Sequence, residues 1–145
     1  ARTRRGYLYL RHLTPLDAFA SAWVGVAERF GGTPYLWGGR TSIGLDCSAL
    51  VQMAMTAAGL ACPRDTDMQE GAPDTDLGIN NLTGLQRGDL LFWPGHVGVM
   101  IDDGQLLHAN GFHMMTVIEP VTEARERIAA SAGPVRTVRR ILPAS

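Results

Sequence analysis

Residues 89–110 read DLLFWPGHVGVMIDDGQLLHAN, and this stretch decides the fold. Three short runs rich in aliphatic and aromatic side chains, 89–93, 96–101 and 105–110, are separated by the turn-forming groups Pro94-Gly95 and Asp102-Asp103-Gly104. Runs of this length between such breaks are strand signals. The second turn admits two registers. A two-residue Asp103-Gly104 loop would send His96 and His108 to opposite faces of the sheet. A three-residue loop 102–104 with Gly104 in the left-handed conformation would pair Ile101 with Gln105 and set both histidines diagonally on one face. We favour the three-residue loop.

Outward from this core, 115–120 reads as a further strand, 122–133 as a polar helix capped by Thr122, and 135–142 as a final strand. Upstream, residues 60–88 are mostly irregular, with a short helix after Thr66. A helix over 47–58 buries Leu50, Val51, Ala54 and Ala58 and stops at Gly59. Residues 31–45 form a glycine-rich loop. Thr14-Pro15-Leu16-Asp17 is a helix start, with a Thr cap, Pro at the first helical position and an acid in the first turn. Apolar residues then recur at helical spacing from Leu16 to Phe30, and Gly31-Gly32 ends the run. Helices first and antiparallel strands after give an α+β fold of N-terminal helices packed on a central antiparallel sheet.

The chain has 145 residues, 46% hydrophobic and 19% charged, with a net charge of -1. That describes one compact domain, residues 14–145, preceded by an arm, 1–13. The charge lacks the basic excess of a nucleic-acid footprint, and no apolar run reaches the ~20 residues of a membrane span. Neither nucleic acid nor membrane is therefore an expected partner, and a monomer is expected. The opening ARTRRGYLYLRHL has no apolar core or cleavage site of a signal peptide. It looks like a strand cut from something longer, so the compartment, cytoplasm or cell envelope, is left open. Two cysteines, Cys47 and Cys62, do not make a disulfide framework.

Cys47 falls in the first turn of the second helix. Unpaired amides and the helix dipole favour an anion there, so the thiol is expected to be acidified. The same amides suit an oxyanion. A thiol nucleophile also needs a base. His96 and His108 are the candidates; His12 reads as a surface residue and His113 as structural or incidental. A cysteine or histidine taken singly is more often a packing or surface residue, so the weight rests on the set.

The blocks Tyr35-Leu36-Trp37-Gly38-Gly39, Asp46–Gln52, Arg87–Trp93, Gly95–Val99 and Leu107-His108-Ala109, in this order, closely resemble the NlpC-type cell-wall endopeptidases, papain-like bacterial cysteine peptidases. The resemblance covers roughly residues 15–142. It implies a papain-like fold and cleavage of peptidoglycan stem peptides, typically between γ-linked D-glutamate and meso-diaminopimelate, with no cofactor or metal. Cys47 matches the nucleophile, His96 the general base and His108 the residue that orients it. Tyr35 matches a tyrosine whose hydroxyl lies near the nucleophile and helps the oxyanion site. Asp46 and Ser48 match positions lining the substrate pocket, the first facing a free L-alanine amine and the second the D-glutamate carboxylate. Pro63-Arg64-Asp65-Thr66 with Gln69 resembles a block that nominates Thr66 for the pocket wall. Arg64 has two readings, a partner for a substrate carboxylate or half of a structural ion pair. Relatives acting on free muropeptides often carry Src-homology-three-like domains before the peptidase domain, and residues 6–13 look like the last strand of one. Rival readings are another papain-like enzyme (a CHAP-type amidase or an acyltransferase), a non-catalytic wall-binding module, and a metal site on Cys47, His96 and His108.

Overall fold

The computed structural model describes residues 2–72, 75–78 and 82–141. Strands β1 (Arg2–Thr3) and β2 (Gly6–Tyr7) form a small antiparallel hairpin, followed by a 3-10 turn at Leu10–His12. The arm is thus a hairpin rather than one strand. The side chain of His12 lies outside the described residues. Then come α1 (Trp23–Glu28), the hairpin β3 (Arg40–Thr41) and β4 (Gly44–Leu45), α2 (Cys47–Ala57) and α3 (Thr66–Glu70). Strands β5 (Thr75–Asp76), β6 (Asp89–Trp93), β7 (His96–Met100), β8 (Gln105–Asn110) and β9 (Met115–Pro120) lead into α4 (Val121–Ala132) and β10 (Thr137–Arg140). The six-stranded sheet runs β5-β10-β6-β7-β8-β9, and every neighbouring pair is antiparallel.

The β7–β8 register is the one a three-residue loop requires. Val99 faces Leu107, Met100 faces Leu106, and the Ile101 amide donates to the Gln105 carbonyl at 3.0 Å. Gly104, however, is not left-handed. Asp102 shapes the loop instead, its Oδ1 accepting from the amides of Gly104 (2.8 Å) and Gln105 (2.7 Å). The other turn needs its glycine: Trp93 pairs with His96 across Pro94-Gly95, and Gly95 has φ +70°. Proline followed by a left-handed glycine is the type II pattern.

Three other expectations are corrected. The first helix begins at Trp23, not at Thr14. Leu16 is wholly exposed, so the early turns have no face to bury. The Ala20 amide instead donates to the Ala57 carbonyl at 2.9 Å, tying residues before α1 to the end of α2. Thr122 does not cap α4: the helix starts at Val121 directly out of β9, with Pro120 before it. The last strand ends at Arg140, and residues beyond 141 lie outside the described ones.

Pleating gives the sheet two apolar faces. Phe92, Val97, Val99, Leu107 and Ala109 pack with α1 and α2. Leu91, Trp93, Met100, Leu106 and Val138 pack with Val121 and Ala124 of α4. In the antiparallel ladder, residues opposite one another share a face. His96 and His108 therefore belong to the α4 side, and Cys47 belongs to the α2 side.

Candidate active site

Cys47 is the first residue of α2, and Asp46 is its N-cap. Asp46 Oδ1 accepts from the Ala49 amide at 2.8 Å and Oδ2 from the Gly38 amide at 2.9 Å, so one carboxylate caps the helix and pins the glycine-rich loop. The loop can lie this close because Gly39 has no side chain; a Cβ there would stand 2.5 Å from the Gly44 carbonyl oxygen. Arg64 grips Asp46 through two bonds of 3.0 and 2.6 Å and donates to Ser48 Oγ at 2.8 Å. Ser48 Oγ in turn donates to Asp46 Oδ1 at 3.2 Å. Arg64 is thus half of an ion pair.

The same residues line a cleft of about 310 Å3 that opens at Cys47. Thr66 is on its wall, Oγ1 3.8 Å from the Cys47 sulfur. Gln69 holds that wall in place, donating to the carbonyls of Ser48 and Pro63 at 2.9 Å each. Glu70 and Arg136, which no motif in the sequence marks, also border this cleft and pair at 3.3 Å. Trp37, exposed at the rim, was legible only as part of a motif block.

On the other side of the sheet end, His96 Nε2 lies 2.8 Å from His108 Nδ1. His108 Nε2 lies 2.6 Å from Glu119 Oε1. Arg127 of α4 donates to both oxygens of Glu119, at 2.7 Å on Oε2 and more closely on Oε1. His113 sits at the far end, its ring 3.1 Å from Asn110 Oδ1 and 3.9 Å from Glu119. Glu119 and Arg127 were not singled out in the sequence. The signal for Glu119 was its position in β9, two residues from Val117, which faces His108. The two halves of the site approach at the start of β7. There the Val97 amide, next to His96, bonds the Cys47 sulfur, with the Ser48 amide as a second donor.

Electrostatics overturn one expectation. Burial pushes the Cys47 thiol up, and the bonds from Val97, Thr66 and Ser48 only partly offset it. Burial, then the neighbouring charge of His108, pulls His96 down to about 3. His108 is lowered, chiefly by burial. Glu119 resists burial through the bonds from Arg127 and His108, and its carboxyl is held below the usual range. Burial, then the charges of Cys47 and Asp46, raises the Tyr35 phenol, which places that hydroxyl in the field of the site as a proton donor. Among the described residues, no three His, Cys, Asp or Glu side chains are grouped to hold a metal ion. No described helix is long and apolar enough to cross a membrane.

A profile of the NlpC/P60 family matches residues 32–128, which span α2, β6 to β9 and most of α4. The chain belongs to the NlpC/P60 family. Dipeptidyl-peptidase 6 of Lysinibacillus sphaericus is 39% identical over 99 residues, covering 68% of this chain and 35% of that protein. The gamma-D-glutamyl-L-lysine dipeptidyl-peptidase of Bacillus subtilis is 32% identical over 110 residues, covering 65% of this chain and 34% of its own length. This chain therefore spans about a third of those relatives. Among solved structures, the peptidoglycan hydrolase RipB of Mycobacterium tuberculosis superposes with a TM-score of 0.67 at 29% identity, over 84% of this chain and 64% of that one. The fold is the papain-like NlpC/P60 fold, as the motif blocks implied.

Proposed function

We propose that this NlpC/P60 domain is a cysteine peptidase that cleaves peptidoglycan stem peptides between γ-D-glutamate and meso-diaminopimelate through a thioester. The observation that carries the reading is the approach of Cys47, at a helix start with two backbone amides on its sulfur, to a strand beginning with a paired histidine. His96 takes the Cys47 proton as the sulfur attacks the γ-amide carbonyl. The amides of Ser48 and Val97 and the Tyr35 hydroxyl stabilise the oxyanion. His96 then protonates the leaving amine, the C–N bond breaks, and water activated by His96 releases the acyl group. His108 holds the His96 ring.

The cleft supports a substrate carrying charges of both signs, since Arg64, Arg136, Asp65, Asp67 and Glu70 all border it. Asp46 and Ser48, read for the L-alanine amine and the D-glutamate carboxylate, are both tied to Arg64, which supports a reading in which Arg64, still ion-paired with Asp46, meets that carboxylate, with Thr66 on the wall beside the nucleophile. One B. subtilis relative is named for the lysine bond, so the residue after D-glutamate is the point to test. Mass spectrometry of L-Ala-γ-D-Glu-meso-diaminopimelate and its L-lysine counterpart, with wild type beside Cys47→Ala, decides the matter. Release of L-Ala-γ-D-Glu by wild type only is expected, with a loss of about 10⁴-fold or more in the variant. Cleavage at the sugar–peptide bond, acyl transfer, or binding without turnover would select a rival.

A further inference from the structure

We propose that Glu119, clamped by Arg127, is a positioning residue: it fixes the tautomers of His108 and His96 so that His96 Nδ1 is the ring nitrogen left bare for the Cys47 proton. The inference rests on the peptidase reading above and adds a carboxylate and its clamp to the cysteine and two histidines.

Donors and acceptors fix both tautomers. An ionised carboxylate only accepts. At 2.6 Å from Glu119, His108 Nε2 must therefore carry the hydrogen. Asn110 Nδ2, 3.1 Å from the same nitrogen, is a donor and by itself would suit a bare Nε2, but the shorter bond is the one to the ionised carboxylate, so Nε2–H points to Glu119; the Asn110 oxygen is taken by the His113 amide at 2.8 Å. A neutral His108 protonated at Nε2 has a bare Nδ1, which can only accept. Its partner at 2.8 Å, His96 Nε2, must then donate. Neutral His96 is left with Nδ1 as its sole acceptor. Arg127 keeps the first link in place by holding Glu119 ionised. Each charge acts on His96 with its own sign: Glu119 favours the imidazolium and Arg127 opposes it. The ionisable groups facing the relay are His96 on β7, His108 on β8, His113 in the following loop, Glu119 on β9 and Arg127 on α4, with Glu123 acting on Arg127.

The test compares wild type, Glu119→Gln and Arg127→Gln in kcat, KM, the acid limb of kcat/KM, and the ¹⁵N NMR tautomer and titration of the histidines. Glu119→Gln is expected to lower kcat about 10- to 100-fold with KM nearly unchanged and to move the acid limb to lower pH. Arg127→Gln is expected to move it to higher pH. Loss of a merely structural contact lowers thermal stability in both variants and produces no shifts of opposite sign. If either variant fails to fold, the other still reads its own shift, and wild-type NMR reads the Nε2–H tautomers of both rings. Wild-type kcat and an unmoved acid limb in the variants, or an Nδ1–H tautomer on His108, would overturn the inference while leaving the peptidase intact. If wild type hydrolyses nothing, the peptidase reading fails, and the NMR tautomers and titration shifts still decide the relay.

Discussion

At Cys47 two effects oppose each other. The amides of a helix start favour the thiolate, and burial disfavours it; burial prevails. With His96 also held neutral, the resting pair is thiol and imidazole, and the proton moves as the sulfur attacks. The pH profile follows from these signs. A base whose proton affinity is lowered stays neutral as pH falls past the ordinary imidazole value of about 6.5, so the acid limb of kcat/KM should lie below that value. A raised thiol places its ionisation on the alkaline side. A kcat/KM profile from acid to alkaline pH checks both limbs, and an acid limb at or above about 6.5 would contradict the electrostatics. The positions of Cys47 and His96 were legible because a helix start and a hairpin turn are local events. The acidity of Cys47 was not, because it depends on what the rest of the chain lays over the sulfur. Glu119 was missed for a related reason: a glutamate near a strand end looks like a solvated charge until α4 brings Arg127 to it.

The element most exposed to a single change is α2, because Asp46 serves it three times over: as N-cap, as anchor of the Gly38 loop and as partner of Arg64. Asp46→Ala should cost about 1 kcal/mol for the cap and about 1 more for a stranded, partly buried guanidinium. For a chain of this size that lowers Tm by roughly 6 to 7 °C. Asp46→Asn should recover most of the cap share and little of the ion pair, which calorimetry on the two variants can separate. The strands were read well, since β6, β8 and β9 have the bounds their turn residues announce. Helix α1 was read too long. Its early residues have helical spacing and a good cap signal, but helical propensity without a buried face does not hold a helix in water.

Over the whole molecule, the sheet separates the chemistry. The nucleophile hangs from α2 on one apolar face, and the charged end of the relay hangs from α4 on the other. The two helices are anchored unequally: α2 buries seven residues, and α4 buries Val121 and Ala124 with Ile128 half-buried. Native-state hydrogen exchange should therefore show α4 amides exchanging well before those of α2; equal protection would refute the difference in anchorage. Such an opening lifts Arg127 from Glu119 without disturbing the cleft, Asp46 or the cysteine. With α4 detached, the histidines would lose the clamped charge behind them, and re-docking α4 would restore it.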